Sequence, residues 1–182
     1  FARLIKGTWA WKVKANDQGG ISKFKARIVA QGFSQIFGIE FVDTMAPVGK
    51  LTTFRVLLAE AARRGMKFQF LDIASAYLMA DIDIKQHMKP PVGMEPPEPG
   101  MVMRLDQCLY GLRNSARGWH HKFRKELFAW GFKASTADPC LFTRERNGSV
   151  IRILLFVDDM GIFYDNDEHG TAMRDELVEN ID

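Results

Sequence analysis

The stretch at residues 153–163, ILLFVDDMGIF, decides how the rest of this chain is read. Residues 151–157 (IRILLFV) are the most apolar run of strand length and are expected to form a central strand. That run leads into Asp158 and Asp159, after which residues 160–164 resume as another strand. Carboxylates in such surroundings are costly when buried without a partner, and side by side they repel. A nearby cation relieves both problems. Magnesium is the natural choice, because it takes hard oxygen ligands and keeps open positions for phosphate oxygens. Asp72 ends a second apolar strand, residues 67–73 (KFQFLDI). Consecutive residues of a straight strand face opposite ways, so a tight turn at Asp158-Asp159 is needed for one of them to aim at Asp72. Two metal ions held there can support in-line nucleotidyl transfer, one activating the attacking hydroxyl and the other stabilising the leaving oxygen. An aspartate at a strand end is also common for structural reasons alone, so the spacing by itself leaves that alternative open. No Walker loop, GxSxG or HExxH is present to compete.

Outward from this centre, residues 139–146 and 149–157 flank Asn147-Gly148, a hairpin signal. Residues 167–182 read as an acidic helix. Asn114 or Ser115 is placed to cap a helix reaching Trp130 and closed by Gly131. Its apolar stripe is Ala116, Trp119, Phe123, Leu127 and Trp130, with Arg117, His121, Lys122, Arg124 and Lys125 on the remainder. Thr52 or Thr53 is placed to cap an earlier helix that stops at Gly65. Short strands are expected at residues 84–88 and 101–105, and residues 90–100, with five prolines and two glycines, form a surface loop. Near the start, residues 9–15 and 21–30 read as a hairpin around the turn cluster 16–20. Lys12, Lys14, Lys23, Lys25 and Arg27 spread over this ribbon with Trp9, Trp11 and Phe24 between them. Such a ribbon can grip phosphates and stack on bases, or its rings can simply pack across the strands. Strands and helices alternate irregularly, with hairpins, which favours an α+β fold with a mixed or antiparallel sheet and packed helices.

The chain has 182 residues, 47% hydrophobic and 26% charged, an ordinary globular balance that excludes a collagen-like repeat or a disordered tail. No apolar run approaches the ~18 residues a membrane-spanning helix needs. Cys108 and Cys140 are isolated, without metal-site spacing, and are expected to be buried reduced thiols. The net charge of +3 conceals larger local fields. Residues 1–67 carry a net +8, 68–100 a net −3, 101–133 a net +5 and 134–182 a net −7. Basic surface attracts a polyanion and clustered carboxylates attract divalent metal, although charge runs are also what solvated faces look like. The chain opens at Phe1 without an apolar leader, as an excised piece of a longer protein would.

The segments KFKARIVAQGFSQIFGIEF, DTMAPVGKLTTFRVLLAEAA, FQFLDIASAYLMADI, LYGLRNSARGWHHKF, GFKASTADPCLF and ILLFVDDMGIF occur in one register. In that order they resemble the reverse transcriptase domain of Copia-type long-terminal-repeat retrotransposons, from about Trp9 to Tyr164 and beyond. The resemblance implies one domain fragment over residues 1–182, the fingers and palm of a right-hand polymerase, with the thumb missing. It implies an RNA-directed DNA polymerase using two Mg2+ ions, or Mn2+, deoxynucleoside triphosphates and an RNA or DNA template with primer. Asp72 and Asp158 look like the principal metal ligands, with Asp159 the neighbouring acidic member of their motif. Ser75 and Ala76 fall where backbone N–H groups meet the incoming triphosphate, and Tyr77 is similar to the ring that stacks under the sugar and excludes a 2′-hydroxyl. Lys25 and Arg27 look like the triphosphate clamp. Tyr110, Gly111 and Arg113 fall where such enzymes contact template base and nucleotide. Integrase, thumb and RNase H are the implied polyprotein partners, with no membrane, in an intracellular setting such as a cytoplasmic particle or the nucleus.

The chain departs from the family pattern at several places. Ala80 stands where glycine is usual, Ala116 where proline is usual, His87-Met88 where Tyr-Met is usual, and Phe156 replaces a tyrosine. Met45 and Gly49 also differ. None removes an acidic ligand, but together with the truncation they leave open a relic or co-opted fragment that only binds nucleic acid. A template-independent nucleotidyl transferase with a similar palm, such as a cyclase, is a remoter alternative.

Overall fold

The structure is a computed structural model that describes residues 3–181; residues 1, 2 and 182, including the last residue of the expected acidic helix, lie outside it. The elements run β1 (Leu4–Ala15), β2 (Ile21–Ala30), α1 (Leu51–Arg64), β3 (Lys67–Asp72), β4 (Asp81–Lys89) and β5 (Met103–Gln107). They continue with α2 (Ser115–Ala129), β6 (Lys133–Ala134), β7 (Leu141–Arg146), β8 (Ser149–Phe156), β9 (Asp159–Tyr164) and α3 (Glu168–Ile181). The chain divides into two compact units, each with its own sheet, the first mixed and the second antiparallel.

The first unit comprises residues 1–45 and 77–119. Its sheet order is β2-β1-β4-β5. β1 and β2 form the expected hairpin, with β1 starting at Leu4 rather than Trp9. Asn16 sets the turn by accepting hydrogen bonds at Oδ1 from the amides of Gln18 and Gly20. The pairing of β1 with β4 is parallel, Leu4 with His87 through Lys6 with Lys89. Ile5, Ala30, Ile82, Met88, Leu105 and Leu112 make the core where these strands meet. Burying an aliphatic side chain of this size stabilises by about 1.5–3 kcal/mol. The outer halves of β1 and β2 extend past that core and are exposed.

The second unit comprises residues 46–76 and 120–182. Its sheet is antiparallel, in the order β3-β9-β8-β7-β6, so β8 is central as its composition requires. Alternation gives the sheet two apolar faces. Ile151, Ile153, Leu155, Met160, Ile162 and Tyr164 share one face and are all buried. α3 covers that face, with Arg174 over the Tyr164 ring and Arg144 paired to Glu176. Arg152, Leu154, Phe156, Gly161 and Phe163 share the other face with Phe68 and Phe70. There α1 lays Phe54 within 5.7–6.0 Å of the rings of Phe68, Phe70, Phe156 and Phe163. Both faces being covered explains why β8 reads as a continuous apolar run.

Local signals hold at most boundaries. Asn147 and Gly148 both have positive φ, as the tight β7–β8 hairpin demands, and Gly65 stops α1 at φ 68°. The expected threonine cap is corrected. α1 begins at Leu51, its preceding residue Lys50 makes no side-chain cap, and the Thr53 hydroxyl donates instead to Asp138. Trp119, Phe123 and Leu127 of the α2 stripe are buried, and both cysteines are buried and free. Among the described residues no helix is long and apolar enough to cross a membrane.

Candidate active site

The β8–β9 register closes with Phe156 opposite Asp159, which leaves Val157-Asp158 as a two-residue turn. Val157 has φ 60°, a strained conformation for a β-branched residue that persists only where the surroundings enforce it. Asp158 therefore sits in the turn and Asp159 opens β9, so the two carboxylates are not successive residues of a straight strand. Asp72, the last residue of β3, is the register partner of Asp159. The Ile73 amide donates to the Asp158 carbonyl at 3.0 Å. That bond makes Asp72 and Asp159 a non-hydrogen-bonded pair, the kind whose facing side chains come nearest. Asp72 and the Asp158-Asp159 pair thus lie at the same end of one sheet, with Asp72 and Asp159 exposed and Asp158 half-buried.

Like charges facing each other across a strand pair are destabilising unless a cation lies near. Among the described residues none of the three carboxylates has an ion-pair or hydrogen-bond partner. Their donor chemistry, hard oxygens of one sign, fits a magnesium or manganese ion. As placed, however, no three carboxylate, imidazole or thiol groups among the described residues close into a metal-holding set.

The remaining expected residues fall into two groups. Ser75 and Ala76 belong to the unit of the carboxylates. Ser75 is exposed at φ 58°, and Ala76 is fully buried at the start of the short 3-10 turn Ala76–Met79. Tyr77, Tyr110, Gly111, Arg113, Lys25 and Arg27 belong to the other unit. There the Tyr77 and Tyr110 rings lie 4.7 Å apart, and the Arg27 guanidinium stands over Tyr110 at 5.6 Å. Gly111 is irreplaceable in this loop. It has φ 92°, and a Cβ would run into the Ala30 carbonyl oxygen. Arg113 donates from Nε to the Gly32 carbonyl, 3.1 Å, and from Nη2 to the Phe33 carbonyl, 3.4 Å, tying this loop to the end of β2.

The ribbon is two-sided. Lys12 faces Lys25 and Lys14 faces Lys23, with Arg27 opposite Ala10, on one surface; Trp9, Trp11, Val13, Phe24 and Ile28 share the opposite one. The rings therefore do not lie between the cations, as the sequence reading had them. Trp11 and Phe24 are each 73% exposed.

Sequence reasoning missed Asp138. This buried carboxylate accepts from the Lys50 amide, the Thr53 hydroxyl and the Cys140 amide at 2.6–3.0 Å. Burial raises its pKa, but the Thr53 hydroxyl, the two amides and the Lys50 charge outweigh that and hold it below the usual range. Burial, and then the Asp138 charge, push the Cys140 thiol up to about 12. The only local hint was an aspartate before a proline at the entry to a strand.

The family described as Reverse transcriptase (RNA-dependent DNA polymerase) matches residues 2–182. The Retrovirus-related Pol polyprotein from transposon RE2 of Arabidopsis thaliana is 34% identical over 158 residues, 86% of this chain and 11% of that protein. The corresponding polyprotein from transposon TNT 1-94 of Nicotiana tabacum is 34% identical over 160 residues, 87% of this chain and 12% of that protein. The Transposon Ty1-MR1 Gag-Pol polyprotein of Saccharomyces cerevisiae is 34% identical over 116 residues, 62% of this chain and 6% of that protein. No solved structure matches significantly. The chain thus spans about a ninth of the plant polyproteins it resembles.

Proposed function

The chain belongs to the reverse transcriptase family carried by Pol polyproteins of Copia-type transposons, and on that premise we propose that it adds deoxynucleotides to a primer 3′ end on an RNA or DNA template. The observation that carries this reading is the register of Asp72 on Asp159, with Asp158 in the adjoining strained turn. Asp72, Asp158 and Asp159 would hold two magnesium ions, which when bound activate the primer hydroxyl and neutralise charge on the leaving oxygen. Everything else in phosphoryl transfer is positioning and electrostatics.

On this reading residues 1–182 are fingers plus palm, the second unit being the palm and the first the fingers. The backbone at Ser75 and Ala76 donates to the triphosphate, and Lys25 and Arg27 neutralise its charge. Tyr77 lies under the sugar and refuses a 2′-hydroxyl. Tyr110, Gly111 and Arg113 border the nucleotide and the template base. Thumb, RNase H and integrase come from the remainder of the polyprotein.

The test is primer extension on an RNA template by the chain joined to the segment that follows it in the polyprotein. Asp158→Asn and Asp72→Asn should each lower kcat by about 10²-fold or more, since charge stabilisation of this kind is worth that much. Full activity in Asp158→Asn would sink the site assignment. Salt-sensitive binding with no turnover in the unsubstituted protein would favour the non-catalytic alternative.

A further inference from the structure

The strained turn that carries Asp158 needs a support, and the hydrogen bonds around Leu155 supply one. Leu155 lies two residues before Val157 and is buried. Its amide donates to the Cys140 carbonyl at 3.0 Å, and its carbonyl accepts from the Gly49 amide at 3.0 Å. The last buried residue of β8 is thus held along its β7-facing edge by two segments, the one before β7 and the one before α1. Gly49 fits this place because it has no side chain. A Cβ would lie 2.8 Å from the Leu155 carbonyl oxygen and 3.0 Å from Leu154 Cδ1.

Asp138 joins these two segments. Its Oδ2 accepts from the Lys50 amide at 3.0 Å and from the Thr53 hydroxyl at 2.6 Å, while its Oδ1 accepts from the Cys140 amide at 3.0 Å. Lys50 Nζ adds a bond to the Ala137 carbonyl at 2.8 Å. Bonds to a charged acceptor are roughly twice as strong as neutral ones. Every member of this network lies in the same unit as the three site carboxylates.

We propose that Asp138 is a positioning residue for the site, a buried clasp that fixes the segments holding Leu155 and through them the placement of the Asp158 turn. The kinetic meaning of that placement rests on the polymerase reading; the mechanical claim does not. A misplacement of about 1 Å at a reacting centre can cost about 10²-fold in rate. Asp138 touches no reacting atom, so its effect is expected on kcat and on metal affinity, not on the initial capture of nucleotide.

The experiment compares Asp138→Asn, Thr53→Val and Thr53→Ser with the unsubstituted 182-residue chain. Thr53→Val removes the shortest bond to Asp138 with little change of shape, and Thr53→Ser restores it. Amide hydrogen exchange, read by NMR, should rise about tenfold or more at Gly49, Leu155 and Asp159 in Thr53→Val, since losing one such bond releases about that factor in local opening. Thr53→Ser should return it to the starting value. Faster exchange confined to residues 50–54 and 137–141 overturns the proposal, and so does an even rise across the whole unit, which would show only lost global stability. A separate titration with Mn2+ alone, followed by its electron spin resonance signal, should show weaker binding in Asp138→Asn and Thr53→Val and recovery in Thr53→Ser. If Asp158→Asn leaves Mn2+ binding unchanged, the polymerase reading fails at its metal, while exchange at Leu155 still decides the clasp.

Discussion

His120 sits buried on α2, and neither ring nitrogen has a hydrogen-bond partner among the described residues. Burial, then the charges of His121 and Arg124, hold its pKa below the ordinary value. The folded chain therefore binds this proton less readily than the unfolded chain, whose imidazole titrates near about 6.5. Stability rises with pH wherever the unfolded state holds more protons. The proton-linked part of the cost of burying His120 is accordingly absent above about pH 7 and grows as pH falls below about 6.5, by at most about 1.4 kcal/mol per pH unit for one proton. Thermal midpoints measured from pH 8 to pH 5 should fall more steeply for the unsubstituted protein than for His120→Phe. Parallel curves would show that this imidazole finds a partner in solution. The same residue marks a limit of sequence reading. Its neighbour His121 is exposed, and only the packing of α2 separates the two.

At the scale of elements, the β1–β2 ribbon offers the sharpest test, because its two surfaces differ in kind. Single-stranded RNA held by phosphate contacts should lose about 0.7 from the slope of log affinity against log salt for each lysine removed. Lys12→Gln, Lys14→Gln and Lys23→Gln should each do so. Trp11→Ala, on the opposite surface, should leave both the affinity and the slope unchanged. Equal slopes in all four proteins would mean that the lysine surface faces something other than phosphate.

This ribbon was legible in sequence because its turn chemistry and alternation are local, as were Gly65 and Asn147-Gly148. The distribution of rings and cations on opposite surfaces was not, because it depends on the register of Lys12 on Lys25. Asp72 could be read as a strand end, but its meeting with Asp159 is fixed by β3 lying on β9, a pairing of segments far apart in the chain. The short β6, the parallel β1–β4 pair and Asp138 escaped for the same reason.

For the whole molecule, the interleaving of the two units has a measurable result. Each unit is assembled from separated stretches, and the chain passes from one to the other after Met45, Ala76 and Trp119. The loop at residues 90–100 lies within the first unit, with Val92 almost fully exposed. Exposed loop tips are preferred sites of nicking. Thermolysin should cut before Val92 first, and the two fragments should still elute together on gel filtration, because both units draw on residues from either side of the cut. Separation without denaturant would show that the pieces do not hold each other.

The position of β3 at the edge of its sheet has a consequence for synthesis. Among the described residues β9 is its one neighbour, and in a chain emerging from the ribosome β9 is made long after it. Until then Phe68 and Phe70 and a row of open backbone groups wait in water, a template for the wrong strand. A translational stall between the two segments would strand the nascent polypeptide in a sticky, half-zipped form.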